Sequence, residues 1–202
     1  MFHRSRRLQE RKTTKIAITG MSEGSGTTHL AVAISSYYAS KERLDVLFVE
    51  CEPSKGIIGL RTSDTRMTKG LSGFERAGVS YIPECPDEQA MELMAEPYDV
   101  IIMETKGWPA SMRGIFCACD RVMITMSARP WHYPVLQGNM KQMIQLEHEI
   151  VQGDYCSFGL TEDGRKKLNQ EFHLQCTGIP TIADPLRLNN TDIRFLKQFL
   201  GN

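Results

Sequence analysis

Residues Lys15 to Pro53 read KIAITGMSEGSGTTHLAVAISSYYASKERLDVLFVECEP, and the order of signals in this stretch decides the fold. Ile16 to Thr19 is a short apolar run with strand character. Gly20 to Gly26 is a glycine-bearing loop. Thr27 to Ser40 then places Leu30, Val32, Ala33, Ile34 and Tyr37 near helical spacing. A second apolar run, Val46 to Val49, ends at Glu50 and Glu52. Strand, loop, helix and strand make one βαβ unit. Such a loop aims its backbone N–H groups at whatever lies above the helix N-terminus, a place that suits an anion and most often a phosphate.

Outward from this unit the alternation continues. Ser54 to Ser72 is rich in Gly, Ser, Thr and Lys and reads as a loop carrying a short helix. Val79 to Pro83 reads as a strand and Pro86 to Ala95 as a helix, with Asp87 and Glu88 in the first turn where the helix dipole favours them. Tyr98 to Thr105, YDVIIMET, is an unbroken apolar run closed by a carboxylate, the pattern of a central parallel strand. Further on, the pattern predicts a helix over Pro109 to Cys117, a strand over Arg121 to Ser127 and a long helix over Tyr133 to Val151. A strand over Cys156 to Leu160, a helix over Thr161 to Phe172 and a strand over Ile179 to Ala183 follow, and a helix over Thr191 to Leu200 closes the chain. The expected fold is α/β: a three-layer, doubly wound, mostly parallel sheet covered on both faces.

Bulk properties narrow the function. At 202 residues the chain is long enough for one domain with a real core. Lys plus Arg equals Asp plus Glu at 24 each, so no global field draws it to nucleic acid. The six cysteines are scattered without Cys-x-x-Cys spacing and read as reduced core thiols. No stretch approaches the ~20 apolar residues that span a bilayer, and the N-terminus lacks the apolar segment of a secretory signal. The expectation is a cytoplasmic protein, at most peripheral to the inner face of the membrane. Residues 1–14 carry Arg4, Arg6, Arg7, Arg11 and Lys12 against Glu10 and read as a basic, flexible arm ahead of one domain over 15–202.

The loop departs from the P-loop pattern G-x-x-x-x-G-K-[ST], because Thr27 stands where the lysine belongs. Its surroundings resemble the MinD/ParA family of deviant Walker-A ATPases, whose loop runs Lys-Gly-Gly-x-Gly-Lys-Thr. On that pattern Ser22 takes the place of the first lysine, Glu23 that of a glycine and Thr27 that of the second lysine, while Gly24, Gly26 and Thr28 match. The lysine-less variant resembles CpaE/TadZ-type pilus assembly proteins.

The resemblance implies a site. Gly24, Ser25, Gly26, Thr27 and Thr28 would hold the phosphates of ATP, and Thr28 with Glu104 and Glu52 would hold Mg²⁺. Glu50 and Glu52 stand in Glu-Cys-Glu-Pro where the family has Asp-x-Asp-Pro; the first of these carboxylates positions the attacking water. Glu104 takes the place of the Walker-B aspartate. Lys106 falls in the switch region beside the γ-phosphate, where it would restore part of the missing positive charge. Asp184 and Pro185 fall in the loop that lines the adenine pocket, whereas the asparagine that reads the base has no counterpart near Leu160 and Thr161. His29 reads as a packed histidine. The C-terminal stripe of Ile193, Leu196, Phe199 and Leu200 reads as a helix docked on the sheet, with a membrane-surface helix as the alternative.

The function implied is a degenerate nucleotide-binding localisation or assembly factor, with weak or no ATP hydrolysis. Its expected partners are proteins, including a Tad/Flp-type pilus or secretion apparatus, and a second copy of the chain. The alternatives are a pseudo-ATPase that keeps the fold as an interaction module and, third, a DNA-partitioning ATPase, which the balanced charge disfavours. An enzyme of small-molecule metabolism on the same scaffold stands behind these.

Overall fold

The computed structural model describes residues 12–51, 56–61, 65–107, 110–127, 129, 131–146 and 153–201. The arm up to Arg11, and Glu52 and Pro53 with it, lie outside the described residues. So does the stretch 147–152, which the sequence pattern assigns to the end of the long helix.

Among the described residues nine strands form one sheet: β1 (Thr14–Gly20), β2 (Val46–Glu50), β3 (Thr65–Thr68), β4 (Leu71–Arg76), β5 (Val79–Ile82), β6 (Val100–Lys106), β7 (Arg121–Thr125), β8 (Asp154–Phe158) and β9 (Cys176–Ile179). Their order across the sheet is β3-β4-β5-β2-β6-β1-β7-β8-β9. All pairings from β5 to β9 are parallel, and β3 and β4 join as an antiparallel edge. The helices that accompany it among the described residues are α1 (Thr27–Ser40), α2 (Asp87–Leu93), α3 (Arg113–Ala118), α4 (Tyr133–Leu146), α5 (Glu162–Phe172) and α6 (Asn190–Leu200).

The central strands are apolar without alternation because both of their faces are covered. Ile16 and Ile18 of β1, Val46 and Phe48 of β2, and Val100 and Ile102 of β6 pack on one side with Leu30, Ala33, Ile34 and Tyr37 of α1. The intervening Ala17, Leu47, Val49, Ile101 and Met103 pack on the other with Ala90 and Leu93 of α2 and Ile115 and Phe116 of α3. Beyond β1, Ile124 and Tyr155 meet Leu136, Met140 and Met143 of α4 and Leu168 of α5. Val135 of α4 is exposed. Leu196 of α6 is fully buried, and Ile193, Phe195, Phe199 and Leu200 pack against the same cluster as α1, so the C-terminal stripe faces the core. Among the described residues no helix is long and apolar enough to cross a membrane.

Local chemistry sets several boundaries. A reciprocal capping box of Asn189 and Asp192 starts α6. The Thr161 hydroxyl accepts from Gly164 N at 3.1 Å and starts α5, which offsets the poor helix propensity of Gly164. The segment Ser54 to Ser72, expected as a loop with a short helix, does contain a 3₁₀ turn at Ile58–Leu60, but it also supplies β3 and the start of β4. The reason lies in two dipeptides, Lys69-Gly70 and Ala77-Gly78, in which all four residues have positive φ. Positive φ at both central positions is the type I′ geometry that closes two-residue hairpins. The last strand is also displaced: it runs Cys176–Ile179, and Pro180 follows as coil. Proline cannot donate to a ladder, so the strand expected at Ile179 to Ala183 ends where it was to begin.

The described cysteines carry free thiols. Burial pushes the Cys85 and Cys176 thiols up to about 11 and that of Cys119 to about 12, which keeps them unreactive.

Tyr81 sits in the middle of the first cluster, stacked on Phe74 with ring centroids 5.1 Å apart. Its hydroxyl is buried with no hydrogen-bond partner among the described residues. A buried hydroxyl without a partner costs about 1–3 kcal/mol. Tyr81→Phe is therefore expected to raise the unfolding free energy by about 1 kcal/mol in urea denaturation; a loss of stability would mean that the hydroxyl is satisfied.

Candidate functional site

The parallel sheet turns at β1. The chain leaves β1 towards β2 on one side, and later lays β6 and β7 against its two flanks. In an open α/β sheet the crevice beyond the carboxyl ends of such strands is where ligands bind. Here it is a cleft of about 450 Å³ lined by Gly20, Ser22 to His29, Glu104, Thr105 and Lys106.

The loop between β1 and α1 forms its wall. Gly26 caps α1 with φ of 85°, in the left-handed region, and no side chain caps the helix. An added Cβ at Gly26 would lie 2.5 Å from the Phe158 ring, so this position takes glycine for both conformation and space. Beneath the loop Ser25, Thr27 and Thr125 share three hydroxyl contacts of 3.0, 3.1 and 2.7 Å. The Thr27 side chain is therefore turned onto β7, while Thr28 points the other way, into the cleft.

There the Thr28 hydroxyl donates to Glu104 Oε1. Glu104 shares the face of β6 used by Val100 and Ile102, the face that α1 covers. The residue is 4% exposed. Burial pushes the carboxyl up to about 7; the Thr28 hydrogen bond pulls it down, and the charge of Glu50 adds to the rise. Glu50 is its register partner on β2 and is itself buried. Glu50 Oε1 accepts from Gly56 N at 3.1 Å, and Glu50 is not among the residues lining the cleft.

Lys106 lines the mouth, with Nζ 3.0 Å from Glu23 Oε1 of the loop. His29 is packed: its Nε2 lies 2.8 Å from Ile182 O, and its ring meets Phe158 edge-on at 5.6 Å. Asp184 and Pro185 are not among the cleft residues; Asp184 Oδ1 accepts from Leu186 N at 2.9 Å and closes its own turn. The structure thus brings together Gly24, Ser25, Gly26, Thr27, Thr28, Glu104 and Lys106 along the cleft, bonds the Thr27 hydroxyl to Thr125, and leaves Glu50 behind and Asp184 aside. Sequence reasoning does not single out Thr105 and Thr125. Their positions at the ends of β6 and β7, flanking β1, are the one signal that marks them.

Three buried polar atoms in this region, Ser22 Oγ, Glu104 Oε2 and Thr105 Oγ1, have no hydrogen-bond partner among the described residues, and all three residues line the cleft. Buried polar atoms are nearly always paired, and exceptions gathered in one place suit a polar ligand. No group of three or more His, Cys, Asp or Glu placed to hold a metal occurs among the described residues. Mg²⁺ does not need one, since it is commonly held by one or two protein oxygens together with phosphates and water. Thr28 and Glu104 fit that role.

Neither the protein-family models nor the curated proteins compared with it match this sequence. Solved structures do match the fold. The MinC:MinD cell division protein complex from Aquifex aeolicus contains a chain that superposes with a TM-score of 0.67 at 13% identity, covering 94% of this chain and 97% of that one. A putative plasmid partition protein from Borrelia burgdorferi bound to AMPPNP gives 0.64 at 13%, covering 94% and 98%. An aspartate-to-alanine variant of Cyanothece McdA in complex with ATP gives 0.61 at 13%, covering 94% and 96%. The fold is that of the MinD/ParA-type P-loop ATPases.

The Glu104 carboxyl has a measurable consequence. Its folded value, about 7, lies above the ordinary 4.5, so between these pH values the folded chain holds a proton that the unfolded chain has released. The neutral carboxyl's contribution is fully present below about 4.5 and is lost as pH rises through 7. The full effect is on the order of 3 kcal/mol. Urea denaturation from pH 5 to 8 is expected to show wild-type stability falling relative to Glu104→Gln, whose amide keeps the acceptor for Thr28 without the titration; parallel curves would refute this. Separately, Gly26→Ala is expected to lose about 1–3 kcal/mol from left-handed strain and the displaced Phe158 ring.

Proposed function

We propose that the chain binds the phosphates of a nucleotide together with Mg²⁺ at the loop 20–28, and that it works as a switch for localisation or assembly, with weak or no hydrolysis. The observation that carries this reading is the hydrogen bond from the half-buried Thr28 to the buried Glu104 at the N-terminus of α1, with Glu104 Oε2, Ser22 Oγ and Thr105 Oγ1, all on cleft-lining residues, without a partner among the described residues. The backbone N–H groups at the start of α1 supply donors for phosphate oxygens, and its dipole favours the negative charge. Thr28 and Glu104 would hold the ion, which would neutralise phosphate charge.

Weak turnover is inferred from the same geometry. Phosphoryl transfer needs a cation over the β/γ oxygens, and the residue in the family's lysine position, Thr27, bonds Thr125 instead. Glu50, the proposed water-positioning carboxylate, accepts from Gly56. What such a protein delivers is then an interaction, with a protein partner or with a second copy; a Tad/Flp-type pilus or secretion apparatus is the partner class that the lysine-less loop favours. The pseudo-ATPase reading, a scaffold that binds no nucleotide, draws on the inward Thr27 and on the Glu23 carboxylate at the mouth of the cleft.

Titration calorimetry with ATP separates the two. The expected result is Mg²⁺-dependent binding with Kd of roughly 10⁻⁴ to 10⁻³ M, equivalent to about 4–5.5 kcal/mol. Glu104→Gln is expected to weaken it tenfold or more with Mg²⁺ present and to change it little with EDTA. Absence of heat at millimolar ATP would leave the pseudo-ATPase.

A further inference from the structure

Lys106 is the lysine or arginine that lines the cleft among the described residues, and a carboxylate of the phosphate loop already holds it. Glu23 belongs to the loop itself, two residues before Ser25. The Lys106 backbone is fixed: it pairs with Gly20 across β1 and β6, and Gly107 N donates to Gly20 O at 3.0 Å. The side chain beyond it is 59% exposed, and that of Glu23 is 86% exposed. Each can therefore turn without disturbing the core. With these two charges cancelling each other, the other acidic side chain lining the cleft is the buried Glu104.

We propose that Glu23 is an internal competitor for the ligand's phosphates. It holds Lys106 at the mouth of the ligand-free cleft, and a phosphate engages Lys106 only by displacing the Glu23 carboxylate. The inference rests on the nucleotide reading above and adds to it the residue that sets how tightly the site takes its anion. Exchange of one anion for another on a single lysine leaves little net gain, because Glu23 stays on the loop and faces the phosphate once displaced. An exposed ion pair alone shifts an equilibrium by about fivefold at most, so the barrier is one that a ligand overcomes. The consequence is selectivity: a bare anion meets no net positive charge, and a polyphosphate carrying its own divalent cation brings what the site lacks. The ligand class is therefore a Mg²⁺-bound polyphosphate, with free phosphate and pyrophosphate excluded.

The test is calorimetry on the full chain with ATP and with pyrophosphate, each with Mg²⁺ and with EDTA. Both side chains are exposed, so melting curves of the variants are expected to overlay on the wild type. Glu23→Gln is expected to bind Mg²⁺–ATP about fivefold more tightly, and to gain binding of pyrophosphate in EDTA. Lys106→Ala is expected to weaken Mg²⁺–ATP binding severalfold, and the double variant, which removes a near-neutral pair, to stay within about threefold of wild type. Equal affinities of wild type and Glu23→Gln would overturn it while leaving the nucleotide reading intact. No binding by either at millimolar ligand would overturn both.

Discussion

The hydrogen bond from Thr28 to Glu104 ties the first turn of α1 to the end of β6, and the rest of the site depends on it. It exists because the sheet permits no slippage at that point. β6 lies between β2 and β1, in parallel register with both, and its side chains are buried on both faces. A shift of one residue would carry Glu104 from the α1 face to the α2 face and put Met103 in its place. The opposed apolar sets, Val100 and Ile102 against Ile101 and Met103, make that shift expensive. Position in the cleft is therefore enforced from the core outward, not by the polar groups themselves.

This explains which features are legible in the sequence. YDVIIMET reads as a buried strand because its environment is symmetrical, and its register then places the terminal carboxylate without further information. The loop and α1 are legible for the same reason: an apolar strand, two glycines and a helical period leave few alternatives. The hairpin at Lys69-Gly70 is obscured because the edge strand β3 and its neighbour β4 have little apolar content, so composition suggests loop, while the turn chemistry that marks them is local and short. The sequence pattern shifts β9 towards Pro180 because Ile179 to Ala183 is more apolar than Cys176 to Gly178, although burial and pairing favour the latter.

The site is less legible than the fold because side-chain direction decides it. Thr27 and Thr28 are adjacent and chemically identical, yet one bonds Thr125 and the other Glu104. A third partner from β7, remote in sequence, separates their roles. Likewise, carboxylates at the ends of adjacent strands look equivalent on paper. Glu104 faces the cleft, whereas Glu50 accepts the Gly56 amide.

The inward turn of Thr27 also bears on how a loop without lysine keeps its shape. In the resembling ATPases a cation at this position would be drawn to the phosphate. Here the Ser25, Thr27 and Thr125 hydroxyls join the loop to β7 with no charge involved. Gly20 belongs to the same device: a Cβ there would lie 2.3 Å from Thr27 Oγ1, so the strand must end in glycine for the hydroxyls to meet. A loop held by its own hydroxyls is organised before any ligand arrives, which lowers the ordering cost of binding even as the missing lysine lowers the gain. Such a loop would respond to an anion with little movement. Any switching built on it must then come from the charges at its mouth and from the carboxyl of Glu104.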